Sequence, residues 1–412
     1  MRLGHKAKAG CAFLCAALLF FSLLFPAAAA ERGGSADLLA QEIAAAFDAR
    51  REHSGRAKTL LDSEGFLAET PDGPAAQSST FTDWIALAMG RFSVVNSAGV
   101  PLFYYPDGQD AYRRGLEVYV TQTYAQNGGL LSKSKVTEPQ RCALVFAALG
   151  GDPTRCGGFA GEPVDLIADG SYNSKLDVTR QGLMGVIFAL IAKNARDVKT
   201  PQAVKYSDLF LYTYLLEREL PAGGWTLSGD KADPDVTAMA LCALALRRNE
   251  PTVYTVKRAA AGETEKTTLG EAADRALDAL SRLQRPDGGY ASGGTPNCES
   301  CAQVLTALSM CGVDAAADSR FFKNGNSVLD ALRTFRLADG GFAHVRQNGR
   351  AQTYNVMATD QAAYALVAYW RLQSGQRGLY DMRPDLPAPL TALLQRLVRR
   401  LVQALSPGFT GT

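Results

Sequence analysis

The chain has almost no excess of charge of either sign. Its 43 lysines and arginines nearly balance 41 aspartates and glutamates, and no basic stripe follows any predicted helix. Proteins that bind nucleic acid concentrate positive charge on one face to neutralise phosphates. We therefore expect no nucleic acid among the partners of this chain.

Long apolar runs are missing after the first thirty residues. Three basic residues within the first eight positions precede an apolar stretch from Cys11 to Phe25, and four alanines end at residue 30. This order is typical of a secretory signal peptide. The sequence predicts a signal peptide at 1–30, a mature chain from about residue 31, and a secreted or cell-surface protein of bacterial type. No membrane span is expected once the signal is removed.

Cysteine and histidine are scarce. Six cysteines and two histidines follow the predicted signal peptide. An even number of cysteines outside the cytosol permits up to three disulfides, and the sequence leaves their pairing open. Cys298-x-x-Cys301 has no partner pair, so we expect no metal site there. The six cysteines are Cys142, Cys156, Cys242, Cys298, Cys301 and Cys311.

Alternating β-branched residues, which half-buried strands need, are almost absent. Instead an apolar, alanine-rich helical pattern recurs six times, each time with Leu or Met six residues after an acid. Small residues throughout these copies predict inner helices that pack closely on both sides. The six acids are Asp83, Glu138, Asp177, Asp235, Glu299 and Asp360.

Two further signals accompany the six copies. A glycine followed by an apolar residue precedes each copy, which favours a tight turn. Amphipathic segments lie between the copies and are predicted to be outer helices. They are residues 36–51, 111–125, 206–219, 269–284, 327–335 and 389–404, and one further arm, around 164–168, is shortened to a turn.

The alternation of inner and outer segments predicts an all-α fold. We expect one domain over residues 31–412, an (α/α)6 toroid of six helical hairpins with one outer arm abbreviated. Residues 250–268, with mixed charges and a glycine, are predicted to form a surface loop. If the inner helices run parallel, their amino-terminal ends meet at one mouth of the ring.

This mouth is the candidate functional site. Taken singly, each of the six acids is expected to cap a helix. Taken together with aromatic residues, they would line an acidic pocket. Taken singly, the aromatic residues Trp84, Phe146, Phe188, Tyr364 and Trp370 are expected to be core rather than ligand contacts. The ligand-binding candidates are Asp83, Trp84, Glu138, Asp177, Gln181, Asp235, Glu299, Gln303, Asp360 and Tyr364.

A short motif carries a family resemblance. Residues 284–290 read Gln-Arg-Pro-Asp-Gly-Gly-Tyr, and related motifs end in Gly-Gly-Trp at Trp225 and Gly-Gly-Phe at Phe342. Over most of the mature chain this pattern resembles the prenyltransferase and squalene-cyclase repeat. The resemblance implies the α/α toroid and three functions to weigh.

The first implied function is that of a terpene cyclase. Cyclases of that family protonate an alkene with the middle acid of Asp-x-Asp-Asp, followed by Thr-Ala. Residues 233–238 read Asp-Pro-Asp-Val-Thr-Ala, so the resemblance implies Asp235 as the proton donor with Asp233 beside it. Val236 replaces the last acid, and these cyclases are usually two helical barrels long, whereas this chain supplies one.

The other two implied functions involve zinc and a corrinoid. Protein prenyltransferases bind zinc with an Asp, a Cys two residues later and a distant His. Glu299 and Cys301 imitate the first pair, but neither His53 nor His344 stands at an inner-helix start. Transcobalamin and intrinsic factor hold a corrinoid on a similar toroid, but against a β domain that this chain lacks. For such an amide-rich ligand, Gln181 and Gln303 would lie at the mouth.

The sequence favours a secreted, non-catalytic protein of this repeat family. It would bind a small-molecule ligand or a cell-surface protein partner at the mouth of the toroid. No cofactor is expected, with a corrinoid retained as one candidate ligand. The alternative is a terpene cyclase-like isomerase that uses Asp235 as its acid.

Overall fold

The computed structural model describes residues 26–53, 69–70, 73–74, 78–80, 82–95, 101–103, 106–196, 198–258 and 264–383. This part of the chain is mostly helical, which confirms the predicted class, and its strands form short hairpins. Among the described residues, 42–383 form one compact unit, and residues 26–41 fall outside it.

Twelve α-helices lie within the described residues. They are α1 (Pro26–His53), α2 (Asp83–Arg91), α3 (Pro106–Asn127), α4 (Thr137–Ala148), α5 (Leu166–Gly170), α6 (Gly182–Ala195), α7 (Asp208–Leu216), α8 (Pro234–Ala245), α9 (Leu269–Leu283), α10 (Cys298–Met310), α11 (Val328–Arg333) and α12 (Val356–Gln373). Every helix after α1 belongs to the unit of residues 42–383. None of them combines the length and the apolarity that crossing a bilayer requires, and neither does α1.

The described strands pair with their sequence neighbours into antiparallel hairpins. The pairs are β1 (Glu69–Thr70) with β2 (Gly73–Pro74), β3 (Ser93–Val95) with β4 (Pro101–Phe103), β5 (Gly158–Phe159) with β6 (Glu162–Pro163), β7 (Val253–Lys257) with β8 (Thr264–Thr268), β9 (Ala291–Ser292) with β10 (Thr295–Pro296), β11 (Phe322–Lys323) with β12 (Asn326–Ser327), and β13 (Arg346–Gln347) with β14 (Arg350–Ala351). Among the described strands no hairpin joins another, so the strands serve as connections between helices.

Six helices pack against one another in cyclic order. Helix α2 contacts α4, α4 contacts α6, and the series continues through α8, α10 and α12 until α12 contacts α2. We call these the six core helices. Their alanine-rich sequences allow close approach on more than one side, and most of their residues are buried. The remaining helices alternate with them along the chain: α5 packs on α4, α7 on α6, α9 on α8, and α11 on α10.

The outer helix α9 shows how the local sequence sets a boundary and a face. The Thr268 hydroxyl accepts a hydrogen bond from the Glu271 backbone, and the Glu271 carboxylate accepts one from the Thr268 backbone, which forms a capping box. Ala273, Leu277 and Leu280 are buried along one face. The helix ends at Leu283, one residue before the end of the predicted segment 269–284.

The predicted outer segments at 36–51, 111–125, 206–219 and 327–335 also coincide with helices, and 164–168 overlaps the short α5. The segment at 389–404 and the signal peptide up to residue 25 lie outside the described residues. The surface loop predicted at 250–268 is wrong, because β7 and β8 form a hairpin there. Tyr254 and Val256 are buried and alternate with exposed neighbours, a period-two pattern typical of a strand.

A local unit recurs before α8, α10 and α12. Each has a Gly-Gly-aromatic turn, and the carbonyl of the aromatic residue accepts a hydrogen bond from the backbone N–H of the residue that caps the next helix. Gly224 must be glycine here, since its φ is +83° and an added Cβ would lie 2.9 Å from Thr237 Oγ1. The aromatic residues are Trp225, Tyr290 and Phe342, and their caps are Asp233, Asn297 and Asn355.

The fourth residue after each cap fastens the turn to the helix. The backbone N–H of Trp225 donates to Thr237 Oγ1 at 2.9 Å, and that of Phe342 donates to Thr359 Oγ1 at 3.0 Å. Cys301 holds the same position in α10, where the Tyr290 backbone N–H donates to its sulfur. Cys301 is thus a structural counterpart of two threonines. All six cysteines after the predicted signal peptide are free thiols.

Candidate functional site

A cavity of about 760 Å³ lies where α8, α10 and α12 begin. Its walls combine aromatic and thioether side chains with carboxylates, amides and hydroxyls. The lining residues are Trp84, Phe188, Asp235, Met239, Ser292, Thr295, Asn297, Glu299, Gln303, His344, Asn355, Met357, Gln361, Tyr364 and Tyr380.

Three core helices contribute the same two positions to this cavity. Residues four apart share a face of an α-helix, and the second and sixth residues after each cap both line the cavity. The second residues are Asp235, Glu299 and Met357, and the sixth are Met239, Gln303 and Gln361. The recurrence follows from the repeated turn, which fixes each helix start in the same way.

The cap of α8 is Asp233 and not Asp235, so the expectation that Asp235 caps the helix is wrong. Asp233 Oδ1 accepts hydrogen bonds from the backbone of Asp235 at 2.9 Å and of Val236 at 3.0 Å. Pro234 disfavours helical geometry in the residue before it, and Asp233 has the extended backbone that a cap requires. Asp235 therefore does not serve as the cap of α8.

Asp235 lines the cavity, and its Oδ1 is buried without a hydrogen-bond partner. Burial raises the pKa of Asp235 to about 6; a hydrogen bond from Ser300 opposes this rise, and the charges of Asp233 and Glu299 add to it. A perturbed, incompletely paired acid in a cleft is a common feature of functional sites. Asp233 itself is held in place by Ser292, whose hydroxyl donates to Oδ2 at 2.6 Å.

His344 belongs to the site, although it was not among the candidates predicted from the sequence. Its Nδ1 lies 2.7 Å from Glu299 Oε2, and its carbonyl accepts a hydrogen bond from the Cys298 backbone at 3.0 Å. The sequence contained a signal for it, because His344 stands two residues after Phe342 just as Ser292 stands two residues after Tyr290, and both line the cavity.

Three aromatic residues of the cavity lining lie close together. Trp84 contacts Phe188 and Tyr364, with ring centroids 5.9 and 6.2 Å apart. Gln303 Nε2 donates to the Tyr364 hydroxyl at 2.5 Å and to Gln361 Oε1 at 3.1 Å. These hydrogen bonds join the aromatic cluster to the polar side chains of α10 and α12.

Two of the six acids form an ion-pair cluster away from the cavity. Asp83 is completely buried and accepts hydrogen bonds from Arg141 Nε at 2.7 Å and from the Tyr112 hydroxyl at 2.5 Å. Glu138 binds the same guanidinium at 2.7 Å. Asp83 therefore holds α2 against α4, Glu138 pairs with Arg141 within α4, and neither acid lines the cavity.

Asp177, Gln181 and Asp360 also lie elsewhere. Asp177 is exposed in a turn five residues before α6 begins, where it accepts hydrogen bonds from Thr179. Gln181 lines a second cavity of about 650 Å³. Asp360 is the fifth residue of α12 and pairs with Arg50 at 2.6 Å; burial raises its pKa to about 7, and the ion pair opposes this.

Two of the three remaining aromatic residues belong to the core. Phe146 is buried against Gly151, and Trp370 packs edge-on against Phe92 with ring centroids 5.0 Å apart. Phe188 was expected to be core as well, but it lines the cavity. Of the ten ligand-binding candidates, Trp84, Asp235, Glu299, Gln303 and Tyr364 are brought together.

Metal ligands do not converge in the described part of the chain. Among these residues there is no group of three or more histidine, cysteine, aspartate or glutamate side chains that could hold a metal ion. Burial also raises the pKa of the Cys301 thiol to about 12, which disfavours the thiolate that zinc binds.

No protein-family model matches the sequence, and no curated protein is detectably similar to it. The function of the cavity therefore has to be inferred from its own residues. With polar and aromatic side chains, those residues surround a space large enough for a small molecule.

Proposed function

We propose that the chain is an exported (α/α)6 toroid of the prenyltransferase and squalene-cyclase repeat type that binds a small molecule. The cyclic packing order of the six core helices supports the ring, and the alternation of core and outer helices along the chain supports the six hairpins. The Gly-Gly-aromatic turns before α8, α10 and α12 support the repeat family.

The observation that carries the binding function is the repeated lining of one cavity. Equivalent positions of three core helices line it, and one of these residues, Asp235, has a buried Oδ1 without a hydrogen-bond partner. A volume of about 760 Å³ lies in the usual range for small-molecule pockets. This size favours compact ligands over a corrinoid, which would fill the cavity and protrude from it.

Ligand titration tests this function. We expect a saturable rise in melting temperature with at least one member of a panel of isoprenoids, corrinoids, amines and sugars. Fluorescence should change with it, because Trp84 lines the cavity while Trp225 and Trp370 are buried elsewhere. The filling variant Gln303→Trp should lose the response and Gln181→Ala, at the second cavity, should keep it.

The pocket hypothesis fails if no panel member raises the melting temperature. It also fails if a ligand binds the Gln303→Trp variant as tightly as the wild type, because binding would then occur at another surface.

A cyclase-like isomerase is the second candidate. One observation favours it: Asp235 is not a cap, and with a pKa of about 6 it is partly protonated near neutral pH. Incubation with squalene and shorter isoprenoids should then yield a cyclised product that Asp235→Asn abolishes and Asp177→Asn does not. The absence of any product would leave binding as the function.

Export is tested separately by sequencing the amino terminus of the protein recovered from the culture medium or cell surface. We expect it to begin near residue 31. Recovery of the protein only inside cells, with residues 1–30 still attached, would contradict export.

A further inference from the structure

We infer that the cavity takes an organic cation, an ammonium group that carries apolar substituents. This inference rests on the proposed binding function and assigns the chemical class of its ligand.

The first argument is the charge of the cavity walls. Asp235 and Glu299 both line the cavity, and Asp233 stands behind them, joined to the lining residue Ser292. No lysine or arginine is among the lining residues, and the basic side chain there, His344, is engaged by Glu299 through Nδ1. An anionic ligand would meet two carboxylates without a matching cation, whereas a cationic ligand would meet both.

The second argument is the apolar part of the cavity lining. Trp84, Phe188 and Tyr364 line the cavity with aromatic rings, and Met239 and Met357 add polarizable sulfur. The negative face of an aromatic ring attracts a cation, most strongly where water is displaced. A cavity lined by both carboxylates and rings suits an ammonium ion whose methyl or methylene groups contact the rings.

The third argument separates an organic cation from a metal ion. The described residues contain no cluster of three or more groups able to hold a metal. A cavity of about 760 Å³ is also far larger than a single ion requires. The space fits a cation with a substantial apolar body.

Titration of the site gives the proposal a pH signature. The groups around Asp235 are Asp233 from its own helix start, Glu299 and Ser300 from α10, and the lining residues His344 and Tyr364. Protonation of Asp235 removes a negative charge near pH 6. This change weakens cation binding as the pH falls from about 7.5 to about 5.

The test compares a cation with its neutral isostere. Choline, benzyltrimethylammonium and 3,3-dimethylbutan-1-ol are titrated into the mature protein, with binding followed by calorimetry and by Trp84 fluorescence. We expect each cation to bind at least about tenfold more tightly than the neutral alcohol. Asp235→Asn and Trp84→Leu should each weaken cation binding about tenfold, while Asp177→Asn, an exposed turn acid, should leave it unchanged.

Equal affinity for choline and 3,3-dimethylbutan-1-ol would overturn the cation inference and leave the binding function standing. So would failure of both cations while another member of the ligand panel still raises the melting temperature. If Asp235→Asn does not fold, Glu299→Gln provides the same test from α10. Failure of every ligand would sink the binding function itself.

Discussion

The two halves of the described chain use the same kind of residue differently. In the amino-terminal half, from α2 to α6, Asp83 and Glu138 are both bound by Arg141, and the Asp83 pair holds α2 against α4. In the carboxy-terminal half, from α8 to α12, Asp235 and Glu299 line a cavity. An acid near a helix start thus lines the cavity only where it is not already bound in an ion pair that holds helices together.

Helix capping also distinguishes the two halves. Asp233, Asn297 and Asn355 cap α8, α10 and α12 with side-chain hydrogen bonds, so the acids two residues after the first two caps are not needed as caps. The caps of α2, α4 and α6 make no such bond. The amino-terminal half contributes ring surface to the cavity instead, through Trp84 on α2 and Phe188 on α6.

The largest expected effect lies in the amino-terminal half. Arg141→Met removes the cation that binds the completely buried Asp83, and an uncompensated buried charge costs about 3–5 kcal/mol. Urea unfolding should show this loss. Arg320→Met, at an exposed pair with Asp318, should lose less than about 1 kcal/mol. Equal losses for the two variants would contradict the structural role of the cluster.

Asp235→Asn should act in the opposite direction. The folded pKa of about 6 exceeds the ordinary value of 3.8, so the ionised carboxylate lowers stability at neutral pH. We expect the variant to gain about 1–3 kcal/mol near pH 7.5, since a tenfold change in an ionisation constant corresponds to about 1.4 kcal/mol. Urea unfolding of the variant and the wild type measures this gain.

The gain should depend on pH with a definite sign. The folded state binds more protons than the unfolded state between about pH 4 and pH 6, so this carboxyl group stabilises the fold below about pH 4 and loses that contribution as the pH rises to 6. The difference between Asp235→Asn and wild type should therefore grow over this window and vanish near its acid end. A pH-independent difference would show that Asp235 is not buried as described.

Loss of a cap should have a smaller effect. Asp233→Ala removes two backbone hydrogen bonds and the contact with Ser292, and such caps contribute about 1–2 kcal/mol. Asp230→Ala, an exposed acid three residues earlier, should change stability by less than about 0.5 kcal/mol. If both variants behave alike in urea unfolding, Asp233 is not what fixes the start of α8.

The smallest effect is expected for the variant Cys301→Thr. Because Thr237 and Thr359 hold the equivalent position, Cys301→Thr should change the free energy of unfolding by less than about 1 kcal/mol. Cys301→Ala removes the acceptor of the Tyr290 N–H and should cost about 1–3 kcal/mol. If Cys301→Thr lowers the free energy of unfolding more than Cys301→Ala does, Cys301 is not equivalent to the two threonines.

Much of the helical architecture could be predicted from the sequence, because helix periodicity and glycine turns are local signals. The site could be predicted only in part. Six acids follow one pattern, and which of them reach the cavity depends on long-range partners such as Arg50 for Asp360 and Arg141 for Asp83. His344 was missed because a backbone bond to Cys298 brings its loop to α10.

The most direct test is the titration of the Asp235 carboxyl carbon by NMR, assigned by its loss in Asp235→Asn. If Asp233 caps α8 and leaves Asp235 buried at the cavity, the midpoint should lie at a pH of about 6. It should fall when a cationic ligand is bound, because the cation favours the ionised form. A midpoint of about 4, the ordinary value for a solvated aspartate, would contradict the placement of Asp235.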